Sequence, residues 1–298
     1  VVHAVSGVSF EIYPGETLGL VGESGCGKST TARAVMQLPA PTSGKVILNG
    51  IDLAALNSGE LRRQRKRFQM IFQDPISSLN PRRKVSDIVE MPLVVMGEGT
   101  PEERAVRVRE VLAAVGLDPE ASLDRRPFQF SGGQCQRISI ARALISEPAM
   151  LICDEPVSAL DVSIQAQIIN LIQDMRKRYD LTMLFISHDL SVVKIVCDRV
   201  AVMYLGRMCE ITDSETLYCQ PAHPYTAALL SAIPEADPSH EPRPIAMKEG
   251  ELPSATRPPP GCRFNTRCPK AQNICTQAVP PLVDIAAGHA VACHFPLL

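Results

Sequence analysis

Apolar and polar residues alternate over the first 20 positions, with Val5, Val8, Phe10 and Ile12 among the apolar ones and a Pro14-Gly15 turn further on. A period near two broken by a turn pair predicts antiparallel strands. ETLGLVG follows as a short apolar strand that runs straight into a glycine-rich loop, and STTARAVMQL then has helical spacing up to Pro39. GKVILNGIDL reads as a further hairpin.

From about residue 75 to 145 the pattern turns helical, with breaks at Pro81, Pro101 and Pro127. Within it, EERAVRVREVLAAVGL predicts an amphipathic helix ended by Gly116. AMLICDE and LTMLFISHD are nearly all-apolar strands separated by the helical segment SIQAQIINLIQDMRKRY. Strand, helix, strand with such strands predicts a parallel α/β core. DRVAVMYLGRMCEI reads as a last hairpin, and between Pro234 and Pro260 eight prolines predict a linker or an extended wrap. There is no internal repeat.

Composition changes this picture little. The 298 residues leave room for one large domain and an appendage, and 45% hydrophobic with 21% charged residues is ordinary for a globular chain. A net charge of −2 carries no global basic field for nucleic acid. The densest basic run, Arg62 to Arg67, is read as a solvated helix face. No apolar run approaches the length of about 20 residues that spans a bilayer, and no signal peptide is visible. The chain does not begin with Met, so upstream sequence is expected, either a short missing start or the first half of a fused two-domain polypeptide. Ten cysteines in a chain of this size without an export signal suit a cytosolic protein with reduced thiols, binding metal where they cluster.

The glycine-rich loop, Gly22-Glu23-Ser24-Gly25-Cys26-Gly27-Lys28-Ser29, fits G-x-x-x-x-G-K-S/T between a strand and a helix, with Thr30 next. Glycines let backbone N–H groups turn inward around phosphates, and the following helix adds its positive end. Lys28 can reach the outer phosphates and the Ser29 hydroxyl can ligate Mg²⁺. A second stretch, Met150 to Glu155, is a buried-type strand ending in two carboxylates. Side chains alternate along a strand, so both acids can serve only if the chain turns there, as Pro156 allows. Asp154 then suits a Mg²⁺ shell and Glu155 the polarisation of an attacking water.

These motifs, with Gln73 in QMIFQDP, FSGGQ at Phe130 to Gln134, SALD at 158–161 and His188 in ISHD, resemble in order and spacing the nucleotide-binding domain of ATP-binding cassette (ABC) transporters. The resemblance runs from residue 1 to about 232. It implies a P-loop NTPase fold of ABC type, a RecA-like α/β core with an antiparallel β part and a helical subdomain at about 75–145. ATP and Mg²⁺ are implied as ligands, with Gln73 sensing the Mg²⁺ held by Ser29 and Asp154, and with Glu155 and His188 catalytic. Two such domains are implied to pair head to tail. Ser131, Gly132, Gly133 and Gln134 of one would cap the nucleotide held by the other, with Asp161 across the interface. In residue terms the signature serine and glycines precede a helical run, a second anion-binding helix start. Cys135 stands where the family more often has a charged or amide side chain, and the aromatic residue on which the family stacks adenine would fall just before Val1.

DPISSLNPRRKV and the Gln220 to Thr226 stretch, QPAHPYT, resemble segments of oligopeptide and dipeptide importer ATPases. So does the tail from 233 to 298, a Pro-rich and Cys-rich extension. Cys262, Cys268, Cys275 and Cys293 are separated by five, six and seventeen residues, without the tight C-x₂₋₄-C knuckle usual for zinc. The resemblance implies a [4Fe–4S] cluster, with Zn²⁺ and free thiols as the alternatives, acting as a staple for an extension with little core. The expectation is therefore an ATPase subunit at the cytoplasmic face of the membrane that powers di- and oligopeptide import. Its partners would be a second nucleotide-binding domain, two transmembrane permease subunits and, through them, an extracytoplasmic substrate-binding protein, with no nucleic acid. Import of nickel, another metal chelate or an opine is the alternative within the branch. A soluble ABC ATPase of DNA repair or translation is the alternative outside it.

Overall fold

The computed structural model describes residues 2–233 and 253–297. Most of the proline-rich stretch expected as a linker lies outside the described residues. In chain order, β1 (Thr17–Val21) leads to α1 (Lys28–Val35), the β2 (Ile47–Leu48) and β3 (Ile51–Asp52) hairpin, α2 (Ser58–Gln64) and β4 (Phe68–Ile71). The helices α3 (Pro75–Ser78), α4 (Val85–Met96), α5 (Pro101–Ala114), α6 (Pro119–Ser122) and α7 (Gly132–Leu144) follow. Then come β5 (Met150–Asp154), α8 (Val162–Tyr179), β6 (Thr182–Ile186) and α9 (Leu190–Val196). The chain continues through β7 (Arg199–Tyr204), β8 (Arg207–Asp213), α10 (Ser214–Cys219) and α11 (Pro224–Ser231), and later α12 (Asn273–Gln277), β9 (Val283–Ala286) and β10 (His289–Val291).

Two compact units divide these elements: Tyr13–Gly15 with Ala32–Leu184, and Val1–Ile12 with Glu16–Thr31 and Phe185–Leu298. In the first of these, β4 and β5 pair in parallel, Phe68 opposite Met150 and Ile71 opposite Cys153. Ile152 and Cys153 are fully buried, as strands covered on both faces require. The helical segment read at 75–145 is α3 to α7, and α7 packs against α3, α4 and α5. Local chemistry sets its punctuation: α5 starts on a Thr100–Glu103 capping box with Pro101 in the first turn. Gly116, with φ 74°, follows its end. The Arg62 to Arg67 run is a solvated face at Arg62, Arg63 and Arg67, which are exposed, and half-buried at Gln64, Arg65 and Lys66; Arg62 Nη2 also donates to the Val95 carbonyl at 2.8 Å.

In the other unit the strands lie in the order β1-β7-β8-β10-β9. β1 and β7 are parallel, Leu18 opposite Arg199, and β7 to β8 is the hairpin the sequence predicts. Its two-residue turn, Leu205-Gly206, takes φ 43° and 79°, the left-handed pair that matches strand twist. β10 joins β8 antiparallel, Ala290 opposite Ile211, so the extension continues the sheet. Residues 1–16 differ from expectation, since no strand forms before Thr17 among the described residues. Val8, Phe10 and Ile12 are half-buried and Ser9 and Glu11 exposed, so the alternation marks two faces. The backbone, however, is held singly, for example by Ser6 N–H on the Gly206 carbonyl at 2.8 Å, rather than by a ladder.

Candidate functional site

β1 is wholly buried, which anchors the strand that delivers the phosphate loop. At Gly22 the chain passes so close to β7 that a Cβ would lie 2.1 Å from the Met203 carbonyl oxygen, and at Gly27 a Cβ would lie 2.2 Å from that of Ala4. Both also have positive φ, 150° and 107°, so only glycine fits either position. Lys28 opens α1 and is buried, at 4% exposure. Its ammonium donates to the carbonyls of Gly22 and Glu23 at 2.7 and 3.1 Å. Ser24 and Gly25 are exposed and Ser29 half-buried, leaving the loop's outer rim accessible. Burial pushes the Cys26 thiol up, against the opposing pull of Lys28, so the loop cysteine is an uncharged packing group. His188, in the same unit, is exposed in the turn between β6 and α9, and Asp189 beside it caps α9 by accepting from Ser191 N–H at 2.8 Å.

The carboxylates lie in the other unit. Asp154 ends β5 and is buried, at 3% exposure. The chain turns at Glu155 itself, whose φ of 47° is left-handed, an uncommon state for a non-glycine residue that functional sites tend to retain. That turn brings Glu155 to Gln73: Gln73 Nε2 donates to Glu155 Oε2 at 3.0 Å. A side chain 82 positions upstream therefore orients the second acid.

The signature is a built helix start. Ser131 is the N-cap of α7, accepting from Gln134 N–H at 3.3 Å, while Gln134 Oε1 accepts from Ser131 N–H at 3.0 Å. The capping box consumes the Gln134 donor and leaves the N–H groups of Gly132 and Gly133 at the helix's positive end. A Cβ on Gly133 would stand 2.6 Å from Ile164 Cγ2 of α8, so glycine allows the close approach of these two helices. Cys135 is buried, its Sγ 3.4 Å from the Pro127 carbonyl, and so packs inside α7 beside the glycines. Asp161 is exposed at the N-cap of α8.

Cys262, Cys268, Cys275 and Cys293 line a single cavity, together with Phe264 and Phe295. Cys262 N–H donates to the Cys275 carbonyl at 2.8 Å and Cys268 N–H to the Phe264 carbonyl at 2.9 Å, which folds the loop around the thiols. Burial, and after it the charges of Cys293, Cys275 and Cys268, push the Cys262 thiol up to about 11, with the Phe264 amide opposing. Four thiols lining one cavity are a soft donor set of the kind a thiophilic cation takes. Among the described residues no group of three His, Cys, Asp or Glu stands at metal-holding separation. His294 hydrogen-bonds the Ala278 carbonyl at 3.0 Å instead.

Two residues that local spacing gives no reason to choose also touch the phosphate loop: Tyr225 Oη accepts from Glu23 N–H at 2.9 Å, and Arg267 pairs with the Glu23 carboxylate.

A strand–glycine loop–helix cradle, a strand ending in two acids and a serine-capped signature helix define an ABC-type P-loop ATPase. The ABC transporter family model matches residues 5–158, and the model described as the oligopeptide/dipeptide transporter C-terminal region matches 209–275. The chain belongs to the ABC transporter family, and its chemistry is ATP hydrolysis with Mg²⁺. A putative peptide import ATP-binding protein of Brucella ovis is 53% identical over 96% of this chain and 90% of its own length. The oligopeptide transport ATP-binding protein AppF of Bacillus subtilis is 52% identical over 98% and 89%. Among solved structures, the post-hydrolysis dimer of the ATP-binding cassette MJ0796 with ADP and Pi is 31% identical, with TM-score 0.64 over 71% of this chain and 90% of that one. CbiO1 of Clostridium perfringens, part of an ABC transporter complex, is 28% identical, with TM-score 0.66 over 73% and 84%. Among the described residues no helix is long and apolar enough to cross a membrane.

Proposed function

We propose that this chain is the ATP-hydrolysing subunit of an importer for di- and oligopeptides, peripheral at the cytoplasmic face of the membrane. The observation that carries the reading is the match of residues 209–275 to the oligopeptide/dipeptide C-terminal region, joined to the cassette in one chain. In this reading two copies of the cassette, identical or related, pair head to tail, and two permease subunits and an extracytoplasmic binding protein complete the transporter.

The residue roles follow from family resemblance and from local chemistry. Backbone N–H groups of the Gly22 to Thr30 loop hold the phosphates, and Lys28 exchanges its two loop carbonyls for phosphate oxygens. Ser29, Gln73 and Asp154 would hold Mg²⁺, which neutralises phosphate charge. Glu155, oriented by Gln73, positions the attacking water, and His188 contacts the γ-phosphate. Ser131, Gly132, Gly133 and Gln134 close the site of the facing domain, and Asp161 lies at that interface. Cys262, Cys268, Cys275 and Cys293 would hold a [4Fe–4S] cluster, or Zn²⁺, that stiffens the extension.

The test is reconstitution of the chain with its two permease subunits in vesicles, reading ATP-dependent uptake of labelled peptides. Peptide uptake lost in Glu155→Gln supports the assignment. Uptake of a nickel chelate or an opine in place of peptides would move the cargo within the branch. Co-purification with nucleic acid and no membrane subunit would overturn the transport reading.

A further inference from the structure

Glu23 is the second residue of the phosphate loop, and it is gripped at its N–H, its carbonyl and its carboxylate. Lys28 Nζ donates to its carbonyl at 3.1 Å, from within the loop. The other two contacts come from far along the chain. Tyr225 Oη accepts from the Glu23 N–H at 2.9 Å, across 202 positions. Arg267 Nη1 donates to both Glu23 carboxylate oxygens, at 3.0 and 2.9 Å, across 244 positions. The ion pair is partly sheltered, with 12% of the arginine side chain and 26% of the glutamate exposed.

These two contacts are built into a rigid floor. Tyr225 is fully buried and meets Tyr204 edge-on at a centroid distance of 4.6 Å. Phe264 packs on both rings, at 5.2 Å from Tyr204 and 5.3 Å from Tyr225. Arg267 lies against the Tyr204 ring at 5.9 Å. Below them the start of α11 is tied to β8: Glu210 accepts from the N–H groups of Ala222 and His223 at 2.8 and 2.9 Å and pairs with His289 at 2.7 Å. Arg267 belongs to a tight turn that begins at Phe264, whose carbonyl accepts from both Arg267 and Cys268 N–H groups at 3.0 and 2.9 Å. One side of that turn therefore faces the four-cysteine cavity and the other the phosphate loop.

We propose that Arg267 and Tyr225 are positioning residues for nucleotide binding, acting through Glu23, so that the C-terminal extension sets the affinity of the phosphate loop. Two effects act in the same direction. Holding the Glu23 amide and side chain pre-orders the loop before the phosphates arrive, which removes part of the ordering cost from binding. Arg267 also neutralises a carboxylate placed inside an anion-binding loop, where its charge would repel the nucleotide. Neither effect touches the reacting atoms, so both act on ground and transition states alike: KM changes and kcat does not.

The inference rests on the ATP-binding reading of the loop, and the two fail separately. Titration calorimetry of the full-length chain with ADP or a non-hydrolysable ATP analogue tests both. Wild type that binds no adenine nucleotide overturns the ATP reading itself. If wild type binds, Arg267→Ala is expected to bind about ten-fold more weakly, the scale of one charge-assisted hydrogen bond, and Arg267→Lys to recover most of the loss. In a Glu23→Ala background, which removes the acceptor, the further change Arg267→Ala should cost nothing in affinity. Binding by Arg267→Ala equal to wild type, or the same ten-fold loss with and without Glu23, overturns the proposal. A role confined to anchoring the extension would lower the unfolding temperature without moving nucleotide affinity. Should Arg267→Ala fail to fold, Tyr225→Phe removes one acceptor with the ring packing intact. It is expected to weaken binding about three-fold, and unchanged affinity there overturns the proposal equally.

Discussion

Replacing Glu155 by glutamine exchanges one carboxylate oxygen for an amide and leaves the backbone, including its left-handed φ of 47°, as compatible with the new side chain as with the old. Gln73 Nε2 donates to this side chain at 3.0 Å, and the amide oxygen of the variant can accept the same bond. What is lost is a group that can draw the proton from water. General-base contributions are about 10²- to 10⁴-fold, or about 2.7–5.4 kcal/mol of barrier. Stability should change by less than about 1 kcal/mol, since one charge-assisted bond becomes a neutral one. Nucleotide affinity should hold or rise, because a negative charge leaves the site. Phosphate release at saturating ATP, with nucleotide binding measured on the same preparation, reads both quantities. Gln73→Ala is the companion: it keeps the base and removes its orienting partner, for an expected loss of about ten-fold. Hydrolysis by Glu155→Gln within a few-fold of wild type would refute the assignment, and a Gln73→Ala loss exceeding that of Glu155→Gln would refute the order of roles.

Gly133→Ala places a Cβ 2.6 Å from Ile164 Cγ2 and should cost about 1–3 kcal/mol by overpacking; thermal unfolding should show the cost relieved in the double variant with Ile164→Ala, and an equal cost in both backgrounds would refute the contact. His223 is 1% exposed, and burial, which disfavours the charged ring, pushes it down to about 4; its Nδ1 accepts from Tyr225 N–H at 3.0 Å. The folded state thus binds fewer protons than the unfolded one, so this contribution is complete above about pH 6.5 and disappears as pH falls through about 4, an effect of about 3 kcal/mol. His223→Asn, which keeps a capping side chain, should flatten the unfolding temperature between those pH values, and an unchanged slope would refute the cause. Protein purified without oxygen should carry about four iron and four sulfide per chain if the thiols hold a cubane cluster; about one zinc would replace the cluster by a tetrahedral site, and no metal would leave free thiols.

The chemical groups of the cradle were legible because each depends on a short stretch. Gly22 to Ser29 sits between a strand and a helix whose patterns are themselves local, and Ser131 with Gln134 forms its capping box within one turn. The strand ending at Asp154 was equally readable from its apolar run. Less was legible where one pattern permits two structures. The alternation of residues 1–16 identified which side chains are half-buried but not that the segment lacks a ladder, since a period of two records faces and not partners. The turn that lets Asp154 and Glu155 act separately was assigned to Pro156, and the structure places it one residue earlier, at Glu155.

The sequence by itself determined the phosphate cradle, because phosphate recognition uses backbone N–H groups whose arrangement follows from a few residues in a row, and ATP hydrolysis followed from the resemblance of its ordered motifs to the ABC family. Only the tertiary structure decided that Gln73 orients Glu155 and that Tyr225 and Arg267 reach Glu23. Those contacts join segments up to 244 positions apart. They depend on how strands and turns pack, and packing between remote segments leaves no period or spacing along the chain.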